Sequence, residues 1–331
     1  MHQLKRFGAS LDWDRYWFTL DQQRSQAVTE AFVRLYEKDY IYRSERLVNW
    51  CSALNTALSD LEVEYEDIVT PKRLKVPKHK KNTYEFGYLT KFAYKVKDSN
   101  EEIVVATTRL ETMLGDVAVA VHPDDKRYQH LIGKQLEHPF IKDREIRVIS
   151  DADLVNMEFG TGAVKITPAH DHNDFQCGER HGLEKINILN DDGSINSSGG
   201  EFEGMMRFDA RLEVEKQLKS LNLYRGKEEN PMRIGKCAKS GDIIEPLIKQ
   251  QWYLNWNDMA KMAIDAVKTG EIKIIPKSYE KIWFDWLENI HDWCLSRQLW
   301  WGHRIPAYQI NGNENQWIVS REAPDLPSIC K

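Results

Sequence analysis

Residues 159–174 read FGTGAVKITPAHDHND: a glycine-flanked strand, a proline, and then two aspartates three positions apart. Side chains of a strand alternate between its two faces, so Val164 and Ile166 are expected on one side and Lys165 and Thr167 on the other. One face is apolar, and the other carries an ammonium and a hydroxyl. Pro168 has no N–H to give and ends the ladder, and the spacing of Asp171 and Asp174 puts both carboxylates on one side of the helix that starts there. The stretch reads as one wall of a pocket.

Working outward, residues 85–96 and 103–108 are rich in aromatic and β-branched side chains and are joined by the polar turn 97–100, which predicts a hairpin. Thr108-Arg109-Leu110-Glu111 fits the box in which a Thr hydroxyl and a Glu carboxylate each satisfy an orphan N–H, so residues 107–112 are expected to form a strand-to-helix corner. The unbroken apolar run VAVAV at 117–121 predicts a buried strand, with further strands at 144–149 and 163–167 and a helix over 173–181. These elements make an α/β or barrel-like core. Residues 186–193 carry a hairpin signal, and the helix over 210–220 is expected to start behind Asp209 as its N-cap.

Farther out, residues 22–38 show the spacing of an amphipathic helix. The basic, proline-broken run 71–81 is expected to be an inter-domain connection, and a solvated ribbon is preferred there to a contact with RNA phosphate. Met259, Met262, Ala263, Ala266 and Val267 form a helix stripe ended by Gly270, with the methionines as core filler. Residues 283–306 hold enough aromatic area to anchor a core, in which Trp300 and Trp301 are expected to sit.

With 29% charged residues and a net charge of -5 over 331 residues, a globally basic nucleic-acid-binding module is excluded, and any contact with RNA has to come from a local patch. The five cysteines are odd in number, scattered and never in a Cys-x-x-Cys pair, which favours a reducing compartment, and the cytoplasm is expected. Neither a membrane-length apolar run nor a signal peptide is expected. Trp13, Trp17 and Trp50 lie near the start, and the other eight tryptophans lie between Trp252 and Trp317. That gap suggests a separate domain interrupting a Trp-rich host. The expected division is residues 1–82, 83–232 and 233–331.

Four blocks, ATTRLETMLGDVAVAVHPDD from Ala106, FGTGAVKITPAHDHNDF from Phe159, GERHGL from Gly178 and DWCLSRQLWWGHRIP from Asp292, together resemble the valyl-tRNA synthetases of the eukaryotic cytosolic type. The resemblance covers almost the whole chain. It implies an α/β architecture in which a β-barrel-like editing domain is inserted into elements of a Rossmann-type catalytic domain. It also implies an ATP-binding HIGH motif upstream and a KMSKS loop downstream, neither of which occurs in these 331 residues, so the expectation is an editing domain with only pieces of the catalytic domain. Such a piece is not expected to charge tRNA.

Editing has a physical reason: a pocket sized for valine cannot strongly reject the nearly isosteric threonine, and valyl enzymes are the standard illustration of that limit. The resemblance implies hydrolysis of the ester between threonine and the 3′-terminal CCA end of tRNA(Val). No cofactor is expected for editing, with ATP and Mg2+ reserved for the synthetic reaction of a complete enzyme. The runner-up is a module that binds the tRNA 3′ end without turnover.

Carried onto matching positions, the resemblance makes Arg109 and Thr112 line the site beside the terminal adenosine and the ester, with Thr108 next to them. Lys165 and Thr167 form the other wall, and Phe159 and Val164 border the side-chain or adenine pocket. Asp174 is similar to the carboxylate that holds the α-ammonium, and Asp171 sits where an acceptor for the threonine hydroxyl is needed, although the two are not divided firmly between these tasks. Taken alone, Asp171 and Asp174 have a plainer reading as an N-cap and a first-turn acid. His170 and His172 flank Asp171 but lack a third ligand at suitable spacing, so no metal is expected there. No zinc is expected at Cys51 and Cys237 either, because Leu54 and Ser240 stand where second cysteines would be needed.

Overall fold

The computed structural model describes residues 1–81, 83–310 and 312–324. The chain divides into two compact units, Met1–Arg43 with Trp252–Lys331, and Ser44–Gln251. The second unit reaches past residues 83–232 at both ends. Strand Met232–Cys237 pairs with Val63–Ile68, and Lys72–Lys75 pairs with Thr83–Phe86. The basic run is therefore no slack connection. Leu74 and Val76 alternate inward from it and are buried with Tyr84, Phe86 and Phe208.

Seven strands make the main sheet of this unit: β1 Tyr88–Val96, β2 Glu102–Thr107, β3 Ala118–Val121, β4 Gln135–Glu137, β5 Glu145–Ser150, β6 Ala163–Ile166 and β7 Tyr224–Glu229. The order is β6-β3-β5-β4-β1-β7, with β2 also paired to β1. Strands β3 and β5 run parallel and the other pairs antiparallel. With β2 turned back toward β6, the sheet is a nearly closed barrel in a mixed α/β unit.

Two helices flank it, α1 His172–His181 and α2 Arg207–Ser220. The expected cap of α2 moves: its N-cap is Met206, and Asp209 lies in the first turn, where it accepts from Tyr84 Oη at 2.5 Å and from the Lys80 N–H at 3.2 Å. The buried Arg207 fixes the start through Asp242 at 3.1 Å, Ser52 Oγ at 2.9 Å and the Ile243 carbonyl at 2.7 Å.

In β6 the alternation decides the register. Ile166 and Val164 pack with Ala118, Ala120, Ile149 and Cys177. Full burial of one such aliphatic side chain contributes about 1.5–3 kcal/mol, and a slip by one residue would drive Lys165 into that cluster instead. Lys165 stays on the opposite face, beside Val119 across the ladder.

In the other unit, helix Gln22–Glu37 is capped by Asp21, which accepts the Arg24 N–H at 2.9 Å. Phe32, Ile41, Trp252 and Leu254 form its core, with Met259 and Trp317 packed against it. The expected apolar stripe of helix Asn257–Lys268 is only half used, since Met262 is 70% exposed. Trp300 and Trp301 are likewise exposed, meeting each other edge-on at 5.5 Å and not entering a core. Among the described residues no helix is long and apolar enough to cross a membrane.

Candidate active site

Strand β3, the turn before it, strand β6 and the start of α1 bring a charged cluster together inside the Ser44–Gln251 unit. Thr167 follows the last residue of β6, and its side chain is completely buried. Its Oγ1 donates to Asp116 Oδ1 at 2.5 Å and accepts from Lys165 Nζ at 2.6 Å. The Lys165 ammonium lies 3.3 Å from the same Asp116 oxygen. Asp116 Oδ2 accepts a third donor, Tyr94 Oη, at 2.7 Å. Burial raises the Asp116 carboxyl, and Lys165 and these hydroxyls oppose the rise.

Asp174 enters from α1. Its Oδ2 accepts the Thr167 N–H at 2.8 Å, and the residue is buried. Burial lifts its carboxyl to about 7; Lys165 opposes that rise, while the charges of Asp171 and Asp116 add to it. Asp171 takes the plainer role. It is the N-cap of α1, its Oδ1 accepting the N–H groups of Asn173 at 2.8 Å and Asp174 at 3.1 Å.

The corner at 107–112 is real but differently built. A 3-10 helix, Leu110–Gly115, starts there with Arg109 at its N-cap, and the expected capping box does not form. Glu111 is fully buried and accepts a bidentate fork from Arg211 at 2.6 and 2.8 Å, a stronger charge-assisted contact than a backbone N–H offers. Thr107 Oγ1 accepts the Arg109 N–H at 3.0 Å, and Thr112 Oγ1 donates to the Arg109 carbonyl at 2.9 Å.

The Arg109 guanidinium donates to the His170 carbonyl at 2.6 Å and to Glu245, and lies 3.6 Å from Glu111. Glu245 is also 3.5 Å from Arg207; burial pushes its carboxyl up, but Arg109, His170 and Arg207 together hold it down at about 2. Arg109 thus ties the corner to the loop before α1. Burial lowers the His170 imidazole; its Nε2 accepts the Ile188 N–H at 3.1 Å, while His172 is exposed, so the two do not share a ligand position.

The structure therefore assembles Lys165, Thr167 and Asp174, with Thr112 at their edge, since its carbonyl lies 3.5 Å from Thr167 Oγ1. Val164 is turned to the apolar face with Ile166, and Phe159 is 56% exposed in the loop before β6. Strand alternation puts Val164 on the face opposite Lys165, as expected from the sequence. Thr108 lines a separate cleft.

The family described as tRNA synthetases class I (I, L, M and V) matches residues 1–326. The chain belongs to that family. It is 53% identical over 328 residues to the valine–tRNA ligase of Caenorhabditis elegans, covering 96% of this chain and 31% of that protein. Identity is 55% over 329 residues to the mitochondrial valine–tRNA ligase of Saccharomyces cerevisiae, with 97% and 30% covered. For the valine–tRNA ligase of Homo sapiens it is 54% over 326 residues, with 98% and 26% covered. The chain thus spans less than a third of the length of these relatives.

Sequence reading missed Asp116, Tyr94, Glu111 and Glu245 as members of these buried polar clusters. Asp116 did leave a signal, an acid directly before the apolar run 117–121. Among the described residues Asp151, Cys177 and His181 form a candidate ligand group, with ligand atoms within 4.8 Å of one another. The Asp151 carboxylate is already filled, by Arg180 at 2.8 Å, by His181 at 3.0 Å and by the Asp153 and Leu154 N–H groups at 3.0 and 2.9 Å. Burial and the neighbouring Asp151 push the Cys177 thiol up to about 12, the wrong direction for a metal-binding thiolate.

Proposed function

We propose that the Ser44–Gln251 unit is an editing hydrolase that cleaves the ester of threonine mischarged to tRNA(Val). The observation that carries this reading is the buried set of one ammonium, one hydroxyl and one carboxylate, Lys165, Thr167 and Asp174, in which the carboxyl sits near neutrality. In this reading the α-ammonium of the substrate docks on Asp174 and supplies the opposite charge that burial denies it, so the carboxyl ionises as substrate enters. Lys165, positioned by Thr167 Oγ1, faces the ester carbonyl, and its ammonium stabilises the oxyanion formed when water adds. Threonine offers its hydroxyl to an acceptor in the pocket, with Asp171 at the helix start the candidate. Valine would leave that acceptor unmatched at a cost of about 1–3 kcal/mol.

The complete protein is read as a valine–tRNA ligase, in line with the names of its relatives, using ATP and Mg2+ for the synthetic reaction and working in the cytoplasm. The editing reaction needs no cofactor in this scheme. Deacylation of Thr-tRNA(Val) and Val-tRNA(Val) by the chain tests it. Threonine should be released well above the uncatalysed rate and valine should not. Equal loss of threonine with and without the protein, alongside tight binding of the tRNA end, would mean a binding module without turnover.

A further inference from the structure

Cys51 and Cys237 take no part in the site described above, and the structure sets them side by side. Both are unbridged and buried, in one core cluster with Leu58 and Val63. Each ends a strand, Ile41–Cys51 or Met232–Cys237, and opens a tight turn. The Cys51 carbonyl accepts the Leu54 N–H at 3.2 Å, and the Cys237 carbonyl accepts the Gly241 N–H at 2.8 Å. The two turns are stitched together: Asp242 Oδ2 accepts the Ala53 N–H at 3.0 Å, and Cys51 Sγ lies 3.2 Å from Ser240 Oγ. The thiols themselves share a hydrogen bond. Both turns reach solvent, at Leu54 and Asn55 and at Lys239 and Gly241.

Two chemistries are open to such a pair, metal binding and formation of an S–S bond. A four-coordinate ion needs more ligands than two, and among the described residues no third His, Cys, Asp or Glu side chain completes a ligand group here. The two thiols also differ. Burial raises the Cys51 thiol and prevails there, with the neighbouring Cys237 adding to the rise. At Cys237 burial acts the same way, but the Ser240 hydroxyl and the N–H groups of Ser240 and Lys239 outweigh it and bring the thiol below its ordinary value. A sulfur inclined to ionise beside one that keeps its proton is the arrangement of an attacking and a resolving thiol.

We propose that Cys51 and Cys237 form a reversible redox pair that a peroxide closes into a disulfide. The Cys237 thiolate attacks one oxygen of the peroxide and the O–O bond breaks, giving a sulfenic acid and a hydroxide that takes up the proton Cys237 had given to solvent. The Cys51 sulfur then attacks the Cys237 sulfur, the S–O bond breaks, and the departing hydroxide leaves as water with the Cys51 proton. Two thiols are oxidised and one hydrogen peroxide is reduced to two waters. The bond joins the strand that leads into the Ser44–Gln251 unit to the strand that follows β7, and a dithiol reductant reopens it. This inference is independent of the editing reading.

The experiment exposes the whole chain to hydrogen peroxide at neutral pH, well below the onset of thermal unfolding. The remaining thiols are then alkylated under denaturing conditions, and the peptides are mapped by mass spectrometry before and after dithiothreitol. The expected product is one peptide pair joining Cys51 to Cys237 within a single chain, lighter by two hydrogens than its reduced parts and fully separated by dithiothreitol. Cys51→Ser should stop the sequence at a Cys237 sulfenic acid, trapped by dimedone, with no joined peptides. Cys237→Ser should slow peroxide oxidation of Cys51 by at least ~10-fold, because the attacking thiolate is gone. Cys294→Ser, in the other unit, should cross-link like the wild type. The wild-type map needs no variant and decides the matter even if a serine variant fails to fold. Three results would overturn the pair: both thiols still reduced after a dose that oxidises free glutathione, Cys237 driven to a sulfinic or sulfonic acid without a joined peptide, or a bond found only between two chains.

Discussion

Thr167 is held by Asp116, whose Oδ1 accepts its hydroxyl at 2.5 Å across 51 residues of sequence. That contact does more than satisfy a buried acid. It commits the Thr167 proton to Asp116, so the free lone pair of Oγ1 takes the Lys165 ammonium at 2.6 Å, and both side chains are fixed before substrate arrives. Asp116→Asn keeps the shape and loses the charge. It should lower kcat for threonyl ester hydrolysis by about 10²-fold, the scale of a misplaced catalytic group, while the far-ultraviolet spectrum is unchanged. The acid limb of the pH–rate profile should also move to lower pH, because Asp116 is one of the charges that raise Asp174. A limb that stays in place would leave Asp116 as a packing residue only.

Asp174 gives a prediction with a definite sign. Its folded pKa is about 7, above the ordinary 3.8, so the native state binds the proton more tightly than the unfolded chain does. Stability from this group is full below about pH 4 and is lost as pH rises through 7. Asp174→Asn, which can still accept the Thr167 N–H, should therefore be more stable than wild type at pH 8, and the gap should close by pH 4. Chemical denaturation at the two pH values measures it. The same variant should lose deacylation, since an amide cannot hold the substrate ammonium as an anion does.

Glu245 works in the opposite direction. Arg109 and Arg207 both converge on it, and its carboxyl is held at about 2 despite burial. Its stabilisation is present above the ordinary 4.5 and is lost as pH falls toward 2. Glu245→Gln leaves the buried Arg207 and the partly buried Arg109 with one fewer counter-charge and should destabilise the unit by about 3 kcal/mol, read as a fall in the urea midpoint at neutral pH.

These contacts show where sequence reading stops. Period-two alternation was enough to put Lys165 opposite Ile166, because apolar burial on one face fixes the register of β6. Residue type at the head of α1 was enough for a cap, and Asp171 is that cap. What pairs with Thr167, Glu111 or Arg109 was not legible, since their partners Asp116, Arg211 and Glu245 are 51, 100 and 136 residues away and are brought near only by tertiary packing. The capping box failed for the same reason: a distant arginine outcompetes a local N–H. The basic run misled in another way, as its charges hide the alternation of Leu74 and Val76 that makes it a hairpin.

Gly115 offers a test of the site from behind. It closes the 3-10 turn just before Asp116, and a Cβ placed on it would lie 3.0 Å from Thr167 Cγ2, 3.1 Å from Ile188 Cγ2 and 3.2 Å from the Ile186 carbonyl. All three neighbours are too close, and the carbonyl, being backbone, gives least. Thr167 is then the group displaced, by a few tenths of an ångström, against a hydroxyl already committed to Asp116. Gly115→Ala should cost about 1–3 kcal/mol of stability as overpacking. Its effect on threonyl ester hydrolysis should be larger than that loss explains, appearing in kcat under conditions where the variant is fully folded. Hydrolysis at the wild-type rate in a folded Gly115→Ala variant would show that the position of Thr167 does not govern the reaction.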